Sequence, residues 1–209
     1  MFRFLSSLLG KSHNVLEERD PMKKFLVVGL GNIGSEYTHT RHNIGFKIVD
    51  ALAEKEDSSF ATEKLGDIAT VKIKGKSVLL LKPSTFMNRS GKAIKYWMEK
   101  EKISLENTLV ITDDINLPFG TLRVKTKGSD GGHNGLKDTQ NTLQTSAYNR
   151  FRFGVGAEFS KGRQVDYVLG EWNEKEKQAL PERLRQSTEI IRSFVFSGVT
   201  NTMNRFNGT

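Results

Sequence analysis

Residues 24–43 read KFLVVGLGNIGSEYTHTRHN, a short apolar run that ends in glycines and then gives way to a long polar loop. Phe25 to Val28 show no polar alternation, so Lys24 to Leu30 is expected as a buried strand. Gly29, Gly31 and Gly34 match the spacing of the dinucleotide-binding turn. In that turn a helix starts at once and points its first amides at a pyrophosphate. Here Glu36, Tyr37, Thr38 and His39 follow instead, and helical periodicity begins only near Asn43. The acidic residue that should close the second strand roughly 20 residues on is Asp50, which falls inside that helix. The glycines therefore open a loop, and no nicotinamide cofactor is implied.

Working outward, Asn43 to Lys55 is expected as a helix with Ile44, Ile48, Val49 and Leu52 on one stripe. Ile68 to Lys74 and Ser77 to Leu81 flank Gly75-Lys76 and read as a hairpin. Ser90 to Lys102 is a second amphipathic helix, and Thr108 to Thr112 a buried strand closed by Asp113 and Asp114. Thr121 to Thr126 and Arg150 to Val155 are further strands, with a short helix over Leu136 to Leu143 between them. A long helix runs from about Asn173 to Phe196, with Pro181 an obstacle near its start. Strands interleaved with helices, one pair of them a hairpin, predict a single α/β domain with a mixed twisted sheet flanked by helices on both faces.

The 209 residues suit one core, assigned to 22–209. Residues 1–21 differ: Phe2, Phe4, Leu5, Leu8 and Leu9 are broken by Glu17, Glu18, Arg19 and Asp20, with no small-residue cleavage site. They are expected to be a flexible extension, with Met22 as an alternative start. No apolar run approaches the roughly 18 residues of a membrane span. The absence of cysteine excludes disulfides, thiolate metal sites and a cysteine nucleophile, and fits a cytoplasmic location. Lys+Arg 32 against Asp+Glu 24 gives a net charge of +8, which leans towards a polyanionic partner.

Asn32 opens the polar loop and His42 ends it; Asn88 follows a strand and turn, Asp113 ends a strand, and Asn134 lies in a glycine-rich loop. Loops at the carboxyl ends of strands share one crevice, so these residues are expected to meet. A neutral imidazole can take a proton from water, and a carboxylate on its other nitrogen fixes the tautomer, which suits His42 with Asp113. Asparagine amides can hold a carbonyl and stabilise an oxyanion without adding charge, each well-placed donor being worth about 3 kcal/mol. Each residue also has a plainer role: a histidine beside a helix start makes ordinary polar contacts, asparagines near glycines form turns, and Asp113 can cap a turn. His39 and His42 lack a third clustered ligand, so no metal is expected. Gly91-Lys92 lacks the rest of a phosphate loop, and no serine sits in a nucleophile elbow.

Four segments decide between these readings: GLGNIGSEYTHTRHN (29–43), KPSTFMNRSG (82–91), DDINLPFG (113–120) and GGHNGL (131–136). In content and order they resemble bacterial-type peptidyl-tRNA hydrolases, and the similarity runs from about Lys24 through the final helices. The resemblance implies a metal-independent and cofactor-free esterase of the phosphorylase/hydrolase-like fold, a monomer without an obligate protein partner. It casts His42 as the base that activates water, Asp113 as its support, and Asn32 as the selector of substrates with an acylated α-amine. Tyr37, Phe86, Asn88 and Asn134 would line the site for peptide and terminal adenosine, with Met87 nearby. Ile33, Asn116 and Thr112 stand where the family commonly has Pro, Asp and His. Non-catalytic RNA-binding relatives are the alternative, against which the retained Asn32, His42, Asn88, Asp113 and Asn134 argue.

Arg123, Lys125 and Lys127 alternate along one strand and so share a face beside the glycine-rich loop 128–135. Arg150 and Arg152 alternate on the next strand and are expected to enlarge this phosphate clamp. By the resemblance, Arg123, Lys125 and Arg152 contact the acceptor end of the tRNA, positioning it without reading sequence.

Overall fold

The apolar run after Lys24 becomes the central strand of a seven-stranded sheet. In the computed structural model, which describes residues 24–208, β1 (Lys24–Gly29) lies between two parallel partners, β4 (Lys76–Pro83) and β5 (Thr108–Asp114). The expected extension at residues 1–21 lies outside the described residues. The remaining strands are β2 (Ala61–Glu63), β3 (Gly66–Ile73), β6 (Leu122–Lys125) and β7 (Asn149–Gly154), in the order β2-β3-β4-β1-β5-β7-β6. β7 is parallel to β5, whereas the β2–β3, β3–β4 and β6–β7 pairs are antiparallel. The sheet is therefore mixed.

Alternation along β1 divides the core. Phe25 and Val27 face one side, where α1 (Ile44–Lys55) and α5 (Glu174–Phe206) contribute Ile48, Leu52, Ile190 and Phe194. Leu26 and Val28 face the other, under Ile94 and Trp97 of α2 (Ser90–Glu101) and Leu136 of α3 (Asn134–Leu143). Each fully buried side chain of this size contributes about 1.5–3 kcal/mol, so neither helix layer is dispensable. The chain leaves β1 through α1 on one face and reaches β5 through α2 on the other. A crevice opens where such connections diverge, beyond the carboxyl ends of β1 and β5.

The glycines that mimic a cofactor turn have a packing reason. A methyl group on Gly29 would overlap the Gly45 carbonyl, and one on Gly45 would overlap the backbone of Leu30. The first turn of α1 thus presses backbone to backbone on the end of β1.

Several boundaries differ from expectation. The hairpin turns on Lys74 and Gly75, both at positive φ (49° and 83°), with Ile73 paired to Lys76; this is one residue earlier than Gly75-Lys76 and matches the strand twist. β2 is fully exposed, so no apolar pattern announced it. A short α4 (Gln164–Val168) also appears. α5 runs through Pro181, which is exposed, so the missing N–H bond is lost on the solvent side. It extends past Phe196 to Phe206 with a break at Gly198 (φ 80°, ψ 166°).

Candidate active site

His42 sits in a 3-10 turn, Arg41–Asn43, directly ahead of α1. Its neighbour Asn43 closes the polar loop: Asn32 N–H donates to Asn43 Oδ1 and Asn43 Nδ2 donates to the Asn32 carbonyl, each at 2.9 Å. The loop's two ends are thereby zipped together. Asn32 Oδ1 in turn accepts the Met87 N–H at 2.8 Å, which leaves the amide nitrogen of Asn32 as its free end. This pairing fixes which way the amide points.

Asp113 is the penultimate residue of β5 and is 3% exposed. Its Oδ1 lies 2.9 Å from His42 Nδ1 and 2.9 Å from His133 Nε2. Burial favours the neutral acid, but the two imidazoles outweigh it and hold the Asp113 carboxyl far below the usual carboxylate range. Burial likewise works to lower the His42 pKa, yet the Asp113 charge and hydrogen bond prevail and the net shift is upward from 6.5. With Asp113 ionised, His42 Nδ1 donates to it. Nε2, on the far side of the ring, has no protein partner among the described residues.

His133 is the residue that sequence reasoning missed. It is the N-cap of α3, and its Nδ1 accepts the N–H groups of Gly135 (3.1 Å) and Leu136 (3.2 Å). Those two donors require an unprotonated Nδ1, so the hydrogen resides on Nε2 and points to Asp113. Thr112 Oγ1, 2.6 Å from the same Nε2, donates to the Asp113 carbonyl and so accepts from His133. His42, Asp113 and His133 have the spacing of a three-ligand cation site. The Nε2 hydrogen of His133 occupies the lone pair such a site would need, so the chemistry of the donor set is that of a hydrogen-bonded chain.

A cleft of about 430 Å³ is lined by Asn32, His42, Met87, Asn88, Asp113 and Asn134, together with Lys125, Lys127 and Arg152. Asn88 comes from the 3-10 turn Met87–Arg89 and Asn134 from the start of α3. Tyr37, in the turn Ser35–Tyr37, and Phe86, 52% exposed, lie outside this lining. Arg123 also lies outside it, paired in register with Arg152.

The arginines of β7 divide. Arg150 is 2% exposed, and its guanidinium donates to the carbonyls of Ser129 (2.6 Å), Gly128 (2.6 Å) and Ser146 (2.8 Å). Arg150 lines the same cleft as Lys125 and Arg152, with its guanidinium committed to bracing the glycine-rich loop. Arg152 meets Asp114 through Nε.

Comparison with known proteins bears on this arrangement. The family model described as peptidyl-tRNA hydrolase matches residues 26–209. The chain belongs to this family. A peptidyl-tRNA hydrolase from Parabacteroides distasonis is 53% identical over 88% of this chain and 98% of its own length. One from Porphyromonas gingivalis is 53% identical over 88% of this chain and all of its own. The crystal structure of the Acinetobacter baumannii peptidyl-tRNA hydrolase superposes with a TM-score of 0.83 at 34% identity, covering 90% of this chain and 96% of that one. Among the described residues no helix of this family member is long and apolar enough to cross a membrane.

Proposed function

We propose that this peptidyl-tRNA hydrolase cleaves the ester between a peptide, or an N-blocked aminoacyl group, and the 3′ end of tRNA, with His42 as the base. The observation that carries the assignment is the wiring of His42: Nδ1 is spent on Asp113 at 2.9 Å while Nε2 is unengaged in a residue that lines the cleft. Water gives a proton to Nε2 as its oxygen bonds to the ester carbonyl carbon. The tetrahedral oxyanion then expels the 3′ oxygen, which recovers that proton from the imidazolium, giving free peptide and free tRNA. Buried Asp113 offsets the positive charge that His42 carries between the two steps.

The free amide nitrogen of Asn32 is suited to donate to the carbonyl that acylates the substrate's α-amine, and Asn88 and Asn134 supply neutral donors for the ester carbonyl. Tyr37 and Phe86, set back from the cleft, would meet the peptide or the terminal adenosine outside it. Lys125 and Arg152 on the cleft wall, with Arg123 beside them, would hold phosphates of the acceptor end. The protein is read as a monomer with tRNA as its macromolecular partner, which the net charge of +8 supports, and as cytoplasmic, which the cysteine-free composition supports.

The test is hydrolysis of an N-acetylated aminoacyl-tRNA by the wild type and by His42→Ala. Turnover should vanish while tRNA binding persists; an active His42→Ala enzyme would overturn the assignment of the base.

A further inference from the structure

We propose that Arg41 is a positioning residue that locks the base-bearing turn to the α4 wall of the cleft, so that substrate seating and proton abstraction stay in register. Arg41 immediately precedes His42 in the same 3-10 turn. Its backbone N–H donates to the Gly170 carbonyl just beyond α4 (3.1 Å), and Thr40 forms a β-bridge with Glu171. The side chain turns inward and is gripped from α4, α5 and the segment between them. One terminal nitrogen donates to Glu176 Oε2 in α5 at 2.7 Å, with both side chains 8% exposed. The other donates to the Tyr167 carbonyl in α4 at 3.3 Å. The guanidinium carbon lies 4.3 Å from the centroid of the Tyr167 ring and 5.6 Å from that of Trp172.

Both ends of this grip are themselves fixed. Tyr167 Oη donates to the Val155 carbonyl at 2.7 Å, which ties α4 to the segment leaving β7. Glu176 Oε2 also accepts the Asn173 N–H at 2.7 Å in the capping box of α5. α4 and the residue after it present Gln164, Val165, Val168 and Leu169 to the cleft. A buried ion pair is a poor source of stability, since apolar residues of equal volume often serve as well. What a planar guanidinium adds is direction: it satisfies a carboxylate and a carbonyl at once while stacking on a ring. Arg41, whose side chain does this, is the immediate neighbour of the base.

This inference rests on the reading of His42 as base and of the cleft as the substrate site. The experiment measures kcat and KM of the full chain for an N-acetylated aminoacyl-tRNA in Arg41→Lys, Glu176→Gln and the double variant, with Tm for each. Lysine keeps the charge but not the fork; glutamine keeps the capping box but not the charge. Arg41→Lys should raise KM several-fold and lower kcat about ten-fold, within the range expected for sub-ångström misplacement. Glu176→Gln should shift both in the same direction by less, and the double variant should be no worse than Arg41→Lys, because both remove one coupling. A purely structural role would reduce the folded fraction, scaling Vmax and leaving KM untouched. Wild-type KM in either folded variant, or additive losses, would overturn the proposal. If Arg41→Lys fails to fold, KM of Glu176→Gln alone decides. An active His42→Ala enzyme would instead sink the base while leaving the KM shifts intact.

Discussion

His42 and His133 approach the same oxygen of Asp113 at the same 2.9 Å, and each stands ahead of a helix, yet they are wired in opposite senses. His42 uses Nδ1 and keeps Nε2 free in the cleft. His133 uses Nε2 and commits Nδ1 to two amides of α3. Only the first ring can exchange a proton without dismantling its surroundings. The second holds the carboxylate still and anchors the helix that carries Asn134. Two histidines of equal composition thus do different work, and the difference lies in which nitrogen is already spent.

The hardest blow to this division is Asp113→Asn. An amide nitrogen facing His42 Nδ1 would favour the tautomer with hydrogen on Nε2, which cannot accept from water. A loss in kcat on the order of 10⁴-fold is expected, by analogy with the same exchange in a serine-protease triad. Retention of near wild-type turnover would mean that Asp113 does not set the tautomer. In the wild type, the upward shift of the His42 pKa places the acid limb of kcat/KM above pH 6.5, because activity requires the deprotonated ring. Activity then rises as pH climbs through that value. A limb centred below 6.5 would contradict the coupling to Asp113.

His133→Asn is the sharper instrument. Asparagine is a good N-cap, so α3 should keep its start and Tm should move little, whereas alanine at this position should cost about 1 kcal/mol. What asparagine removes is the Nε2–H donated to Asp113. With one donor fewer, the carboxylate charge falls more fully on His42, whose pKa should rise further and carry the acid limb to higher pH. A loss of roughly ten-fold in kcat at neutral pH is expected, in the range of a lost supporting interaction. An unmoved acid limb would reduce His133 to a helix cap.

Much of this was legible in the sequence, and what was not has definite causes. The unalternated run of β1, the stripe of α1 and the acid pair closing β5 follow from period and polarity alone. Asn32, His42 and Asp113 meet because their strands end on one side of the sheet. His133 was hidden because sequence names a histidine without saying which nitrogen faces what; its position between glycines and a helix start was the available signal. The Asn32–Asn43 pairing joins the amide side chain of Asn43 to both backbone polar groups of Asn32, eleven residues away, which no pattern encodes. β2 and α4 are too short to show a period. Arg150 and Arg152 share a face as alternation requires, but only the fold shows that the loop at Gly128 and Ser129 covers one of them.

The contrast between spent and free groups extends to the cations, and there the smallest effects are expected. Lys125 and Arg150 are register partners across β6 and β7. Arg150 gives its guanidinium to three carbonyls, while Lys125 is exposed on the cleft rim and has no ion pair among the described residues. Arg150→Ala should therefore act on stability, since buried acceptors left unsatisfied cost about 1–3 kcal/mol each. Lys125→Ala should leave Tm and kcat unchanged and raise KM several-fold, because it removes binding felt equally before and during the reaction. The slope of log(kcat/KM) against log[salt] should flatten by about one phosphate contact, roughly 0.7–0.9. A Lys125→Ala enzyme with the wild-type slope would mean that the phosphate chain passes elsewhere, and the free cations of the rim would then have to be sought at Lys127 and Arg123.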